Sequence, residues 1–351
     1  MALNRCLNAA NLGDIHAHPD NQSASTNPCF GTSVNSDYTG RMVPARKTVL
    51  RRSNSRKFPR KPLSSGCWVN CKVRGVHFLQ CAPLTKIPWL VHGFSTRPGG
   101  YSKLGEKRVL NLGFVEWDAR ENVLKNRVAF QSALGVRKLP LVALKQIHSD
   151  SVLRFDAPTS EPCHGDAAIT SHPNMLLAVQ TADCVPILLV DKRNRAIAAI
   201  HAGWRGTLHR IAMKTIGHMQ MQFGTKAADL LAAIGPSIGG CCYEVGTEVA
   251  VEFRSQFPHA SDWFDELRTG DEPNPFQWLN MRPPGHQPPP KNVLLDLRKA
   301  NRAQLLDAGV NSKNIFVSDL CTSCRRDLFF SYRKESALTG RHMSAIGILR
   351  I

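Results

Sequence analysis

No run of eighteen apolar residues occurs in the chain, so no helix of it is expected to cross a membrane. The first residues also lack the apolar segment that follows the start of a secretory signal, and none is expected. Acidic residues are scarce, with 27 Asp and Glu against 45 Lys and Arg, a formal charge of +18. About half of that excess precedes residue 81, so the remainder suits small anions as well as a nucleic acid. No nucleic-acid partner is expected for the core. The loop GPSIGG at 235–240 is not followed by Lys-Ser/Thr, which excludes a P-loop. Cys321-x-x-Cys324 has no second pair of the same spacing, so a zinc ribbon is not expected; reduced structural thiols are favoured over a thioredoxin-like motif. Eleven cysteines without a secretory signal suit a reducing compartment.

Residues 1–80 are rich in Asn, Ser, Pro and Arg and hold too little apolar surface to offset the entropy of ordering. They are expected to be a disordered basic leader. A Ser- and Arg-rich, acid-poor leader has the composition of an organellar transit peptide, chloroplast or mitochondrial; a cytoplasmic extension is the alternative. His16 and His18 fall inside it. The fold is expected over 81–351 as a single domain, interrupted at 269–291 by a Pro-rich surface insertion without periodicity.

The most informative stretch is 181–206, TADCVPILLVDKRNRAIAAIHAGWRG. Cys184 and His201 each stand where an apolar run meets a turn, bracketing a buried hairpin or paired strand. Upstream, the apolar run in LVALKQIHSDSV ends at Gln146 and His148. Two imidazoles and a thiolate from three strand ends suit a tetrahedral zinc with one position open. Spacing alone leaves a second explanation standing, because Cys is among the most buried residue types and a lone His is commonly a core residue. Arg97 beside Gly99-Gly100 could grip phosphate or lie in a surface loop. Asp118 is the expected cap of a helix over 121–134, and further helices are expected after Gly206 and over 297–308.

The segments KQIHSDSV, GDAAIT, TADCVPILLVD, AIHAGWRGT, AAIGPSIGGCCYEVG and CTSCRRDLFFSYRKESALTGR resemble, in order, those of the laccase-domain family, historically labelled multicopper polyphenol oxidoreductases. The resemblance runs from about Trp89 to Ile351. It implies an α+β fold in which mixed β-sheets pack together and are flanked by helices. It also implies zinc, one per chain, on His148, Cys184 and His201, and a purine nucleoside phosphorylase with an adenosine deaminase side activity. Inosine, adenosine and methylthioadenosine are the candidate nucleosides, with phosphate as co-substrate. Ser95, Arg97, Asn111, Gln146, Arg205, Tyr243 and Arg333 lie in or beside the matched segments and become substrate-binding candidates. Asp183 and Cys184 are the catalytic candidates, Asp183 as proton carrier or as an orienter of the ligand set. Two other functions compete. A copper-dependent polyphenol oxidoreductase would need several His-x-His pairs and a His-Cys-His segment, which the core lacks. A thiol hydrolase would use Cys184 as nucleophile and His201 as base.

Overall fold

The computed structural model describes residues 66–159, 161, 163–266 and 292–350. The expected insertion at 269–291, His16, His18 and most of the expected leader lie outside these residues. The fold begins before residue 81, which corrects the leader boundary. Strand β1 (Trp68–Val73) pairs with β2 (Val76–Cys81) in an antiparallel hairpin. Its turn, Arg74-Gly75, has φ of 50° and 80°, the two-residue geometry that matches strand twist. Only Trp68 of β1 is buried, so this edge strand reads as polar in composition although its alternation is regular.

Six strands form the first sheet in the order β1, β2, β3 (Leu90–Ser95), β17 (His342–Ile348), β9 (Leu176–Thr181) and β6 (Leu141–Ala143). Six more form the second: β16 (Ile315–Val317), β12 (Leu230–Ile234), β10 (Val185–Asp191), β11 (Ala196–Ala202), β8 (Ala167–Thr170) and β7 (Val152–Arg154). Both sheets are mixed: β6 runs parallel to β9, β16 to β12 and β7 to β8, and the remaining pairs are antiparallel. A hairpin of β4 (Pro98–Leu104) and β5 (Lys107–Val109), and a small sheet of β13 (Glu244–Val245), β15 (Val293–Leu295) and β14 (Phe264–Glu266), complete the strands among the described residues. The helices are α1 (Ala82–Thr85), α2 (Arg120–Ala133), α3 (Trp204–Leu208), α4 (Ile211–Phe223), α5 (Thr247–Gln256), α6 (Leu297–Asp307) and α7 (Tyr332–Glu335).

Every residue of β10 and β11 is buried, because these strands are covered on both faces. Ile187 and Leu189 pack toward Ile211, Ile216, Phe253 and Leu305 of the helices, whereas Leu188 and Val190 meet Leu177, Val179 and Ile346 of the first sheet. Leu176 and Ala178 on the far face of β9 share a third cluster with Phe130 of α2. The layers are therefore helix α2, two face-packed mixed sheets, and the helices of the second sheet's outer face. This is the α+β architecture expected. No helix among the described residues is long and apolar enough to cross a membrane.

Three local expectations change. Asp118 does not cap α2: its carboxylate accepts from Ser102 Oγ at 2.5 Å and Asn111 Nδ2 at 2.7 Å instead. The helix expected after Gly206 starts earlier, at Trp204, and breaks at Arg210, φ 60°, into α3 and α4. The run CTSCRRDLFFSYRKE at 321–335, strand-like as a sequence, contains the short helix α7 instead, and its turns carry side chains of the site described next.

Candidate active site

Hairpin register brings the first two site residues together. Pro186 pairs with His201, so Cys184, just before β10, lies at the same end of the sheet as His201 near the close of β11. Strand β8 pairs with β11 through Ala167 and Ile200, which sets Asp166 beside His201. His148 arrives from the loop after β6 with φ 57°, a left-handed conformation uncommon outside glycine. Something must hold it there. The Asp166 carboxylate does, accepting backbone N–H groups from Ile147 (3.2 Å), His148 (3.1 Å) and Ser149 (2.6 Å) and the Ser149 hydroxyl (2.7 Å). The same carboxylate lies 2.8 Å from His201 Nδ1, leaving Nε2 to face the site.

The ligand-type atoms of His148, Cys184 and His201 all lie within 4.8 Å of one another, and the two imidazole rings meet edge to face, 4.9 Å between centroids. Gly203 keeps this space open: a Cβ there would sit 3.1 Å from His148 Cδ2 and 3.3 Å from Cys184 Sγ. Burial pushes the Cys184 thiol up, but His201 and His148 beside it prevail and hold it well below its usual range. Burial opposes the charged form of His201, yet Cys184 and Asp166 raise it above the usual histidine range. Asp166 shows the same contest: burial raises it, and the hydrogen bonds from His201 and Ser149 bring it down to about 2. The site thus favours an ionised sulfur between two nitrogens, a borderline-soft donor set with room for a fourth partner.

These groups open on a cleft of about 990 Å³, room enough for a nucleoside and an anion together. Its walls include His148, Cys184, His201, Gln146, Phe114 and three arginines, Arg120, Arg127 and Arg341. Arg120 and Arg127 both stack on Phe114, each 4.5 Å from the ring centre. Burial, helped by the Arg120 charge, pulls the Arg127 guanidinium down to about 10, and burial also lowers Arg341. Partly desolvated cations held side by side are stabilised by an anion between them.

The sequence-derived site residues divide accordingly. His148, Cys184 and His201 converge. Gln146 lines the cleft, but both ends of its amide pair with the backbone of Gln180, at 2.7 and 2.6 Å. Arg97 does not line it: its turn became the β4–β5 hairpin, and its guanidinium pairs with Glu335 at 2.6 Å over the Phe330 ring. Ser95 accepts from Met343 N, and Asn111 accepts from Arg341 N at 2.9 Å, so both hold backbone. Asp183, φ 89°, accepts from Thr322 Oγ1 (2.6 Å), Ser331 Oγ (3.0 Å) and Arg333 N (2.7 Å). Burial raises its carboxyl. All three partners come from the 321–335 run, so the carboxylate ties that run to the chain just before Cys184. Tyr243, Arg205 and Arg333 form a second group near Cys184: burial pushes the Tyr243 phenol up, and the charges of Cys184, Arg333, Asp183 and Arg205 all act on it. Arg333 lies over the Tyr243 ring at 5.1 Å, and Arg205 stacks on Trp204 at 4.6 Å.

Sequence reasoning missed Asp166, Gly203 and the three cleft arginines. Asp166 stands in GDAAIT, a quoted motif, directly before a buried strand, and that position was its signal. Arg120 and Arg127 carried none, since α2 reads as an ordinary amphipathic helix; Arg341 closes the motif CTSCRRDLFFSYRKESALTGR directly before β17, and that position was its signal.

Residues 91–349 match the family described as multi-copper polyphenol oxidoreductase laccase. A purine nucleoside phosphorylase of Deinococcus radiodurans is 38% identical over 270 residues, 76% of this chain and 94% of the relative. Adenosine deaminase RL5, from an unknown prokaryotic organism, is 34% identical over 265 residues, 73% of this chain and 93% of the relative. The crystal structure of YlmD from Geobacillus stearothermophilus superposes with a TM-score of 0.67 at 32% identity, covering 80% of this chain and 98% of that one. With the fold, its converging His-Cys-His site and these matches in agreement, the chain belongs to the multi-copper polyphenol oxidoreductase laccase family, whose relatives here include enzymes named purine nucleoside phosphorylase.

Proposed function

We propose that this protein is a zinc-dependent purine nucleoside phosphorylase that also deaminates adenosine slowly. The observation that carries the reading is the placement of His148, Cys184 and His201 in one cleft wall with Arg127 and Arg341 in the same cleft. The donor set fits zinc: three ligand-type atoms are gathered, the His201 tautomer is set by Asp166, and Gly203 leaves space. Zinc held by these three residues supplies Lewis acidity toward an oxygen of the substrate or of water.

The chain's own groups account for the rest. Phosphorolysis breaks the C–N bond between ribose and purine and forms a C–O bond from the anomeric carbon to phosphate; the base leaves with a proton. Arg127 and Arg341 bind and orient the phosphate, and Phe114 offers a flat apolar face to the purine. Asp166 keeps both histidines in place, and Asp183 fixes the chain before Cys184 through Thr322, Ser331 and Arg333. Deamination at the same site replaces the adenine amino group by water oxygen and releases ammonia. The name of RL5 supports that side activity, and the name of the Deinococcus relative supports phosphorolysis.

Incubation with inosine or adenosine, with and without phosphate, tests the reading. Free base and ribose 1-phosphate are expected only with phosphate, and both activities should fall together in Cys184→Ala. Base release that is unchanged without phosphate defeats the proposal. A thiol hydrolase has one specific observation in its favour: Cys184, His201 and Asp166 are arranged as nucleophile, base and orienter. Such an enzyme would withstand chelators and be killed by alkylation. Copper gains no comparable support, because only one metal-ligand group among the described residues contains histidine. Residues 1–65 we assign to an organellar address; a reporter fusion that stays in the cytosol removes that assignment alone.

A further inference from the structure

Outside the cleft, the fold gathers four cysteines that the sequence keeps about eighty residues apart. Cys241 and Cys242 end the Gly-rich loop after β12, and Cys321 and Cys324 lie in the loop after β16; parallel pairing of β12 with β16 brings the two loops together. Ser237 and Cys321 continue that pairing as an isolated bridge, with Thr322 N donating to Ser237 O at 3.1 Å. Each loop is closed on itself: Cys242 N and Tyr243 N both donate to Gly239 O, and Arg325 N donates to Cys321 O at 3.0 Å, a turn that aims Cys321 and Cys324 the same way.

All four sulfurs lie within 4.8 Å of one another, with Cys241–Cys324 at 3.6 Å and Cys242–Cys324 at 3.4 Å. A disulfide needs about 2.05 Å. Four thiolates around a zinc at about 2.3 Å are separated by roughly 3.8 Å, the edge of the tetrahedron. The observed separations are those of a ligand cage. The Gly239 backbone N–H donates to Cys321 Sγ at 3.2 Å, the outer contact that favours a thiolate. Gly239 also lets the Arg298 guanidinium approach: a Cβ there would sit 2.5 Å from Arg298 Nη2 and 3.3 Å from Cys241 Sγ. A cation thus stands beside the cage, whose four thiolates exceed the charge of one divalent ion.

We propose that Cys241, Cys242, Cys321 and Cys324 bind a second zinc ion as a closed, four-thiolate structural site. With all positions filled by sulfur, such a site has no place for water or substrate, and its work is mechanical. It clamps two loops that serve the cleft. Tyr243 follows Cys242 directly, and Thr322, between the other two ligands, donates to Asp183, the residue before Cys184. The Cys321-x-x-Cys324 pair therefore has the partner pair that its sequence spacing did not show: the two adjacent cysteines supply the other half of the cage.

The test uses the full chain, purified under reducing conditions, and elemental analysis for zinc. About two zinc ions per chain are expected, one per site, and the double variant Cys241→Ser/Cys324→Ser should hold about one. His148→Ala should lose the cleft zinc and keep the second, so failure of the proposed activity and failure of this site are separable. Because Cys241 and Cys324 are exposed, unsubstituted protein offers a second measurement that does not depend on a variant folding. Bound zinc should slow their alkylation at least roughly tenfold, with the protection lost on adding a chelator. Zinc content unchanged in the double variant, alkylation indifferent to chelator, or a disulfide between any two of the four in freshly reduced protein overturns the proposal.

Discussion

Asp166 is the residue on which the cleft turns. Its two oxygens hold His201 through Nδ1 and fix His148 in a left-handed conformation through three consecutive backbone N–H groups. Asp166→Asn keeps the shape but loses the charge and one acceptor, so zinc affinity should fall about 10- to 100-fold. Competition with a chromophoric chelator measures it; an unchanged affinity would mean that Asp166 serves the loop alone. The arginines give a paired prediction. Arg341→Gln should raise the KM for phosphate roughly 10- to 150-fold, since a desolvated guanidinium bound to an anion contributes on the order of 1.5–3 kcal/mol. Arg97→Gln, which breaks a contact with Glu335 outside the cleft, should leave that KM within about twofold. A reversed ranking would restore Arg97 as the phosphate ligand. The two glycines beside Arg97 left a phosphate grip and a surface loop both open, and the resemblance made it a candidate; those glycines lie in β4, and Arg97 turns to Glu335 and the Phe330 ring.

At the scale of the element, β10 and β11 do two things at once. Their apolar runs are buried on both faces, and their antiparallel register sets Cys184 against His201. Leu189, fully buried on the helix-facing side, has neighbours from several elements that cannot all close over a lost side chain. Leu189→Ala should therefore cost about 2–5 kcal/mol in urea unfolding with the zinc ligands untouched. A loss under about 1 kcal/mol would mean that the helix layer collapses readily onto the sheet. Helix α6 was legible in the sequence to within a residue or two because its signals are local: Asp296 accepts from Arg298 N and Lys299 N, and Gly309 with φ 92° follows its end. The strand β1 was not, because an edge strand with one buried side chain leaves no apolar run to read.

Across the whole molecule, two buried histidines tie stability to pH. His92 in β3 and His342 in β17 lie in adjacent strands of the first sheet; each accepts a backbone N–H at Nε2, from Cys81 (2.9 Å) and Phe330 (2.7 Å). Burial pushes His92 down to about 4 and His342 down to about 3, against an ordinary value of 6.5. Between those limits the unfolded chain binds protons that the folded one refuses, so their stabilisation is whole above pH 6.5 and is lost progressively as pH falls toward about 4 and then 3. Each histidine should contribute a slope of about 1.4 kcal/mol per pH unit within its window. Urea unfolding from pH 7 to pH 5 should show stability falling well before carboxylates titrate; a flat profile would sink this account. The sequence by itself carried the buried hairpin and the three residues His148, Cys184 and His201 that converge in the cleft, because apolar runs ending at ligand-type residues are local, and its ordered motifs carried the resemblance that implied the α+β class. Only the tertiary structure decided which charges meet: Asp166 with two histidines, Arg127 and Arg341 in the cleft, and one cysteine pair with another some eighty residues away. Strand pairing and layer packing set those distances, and neither is written in the spacing of any single segment.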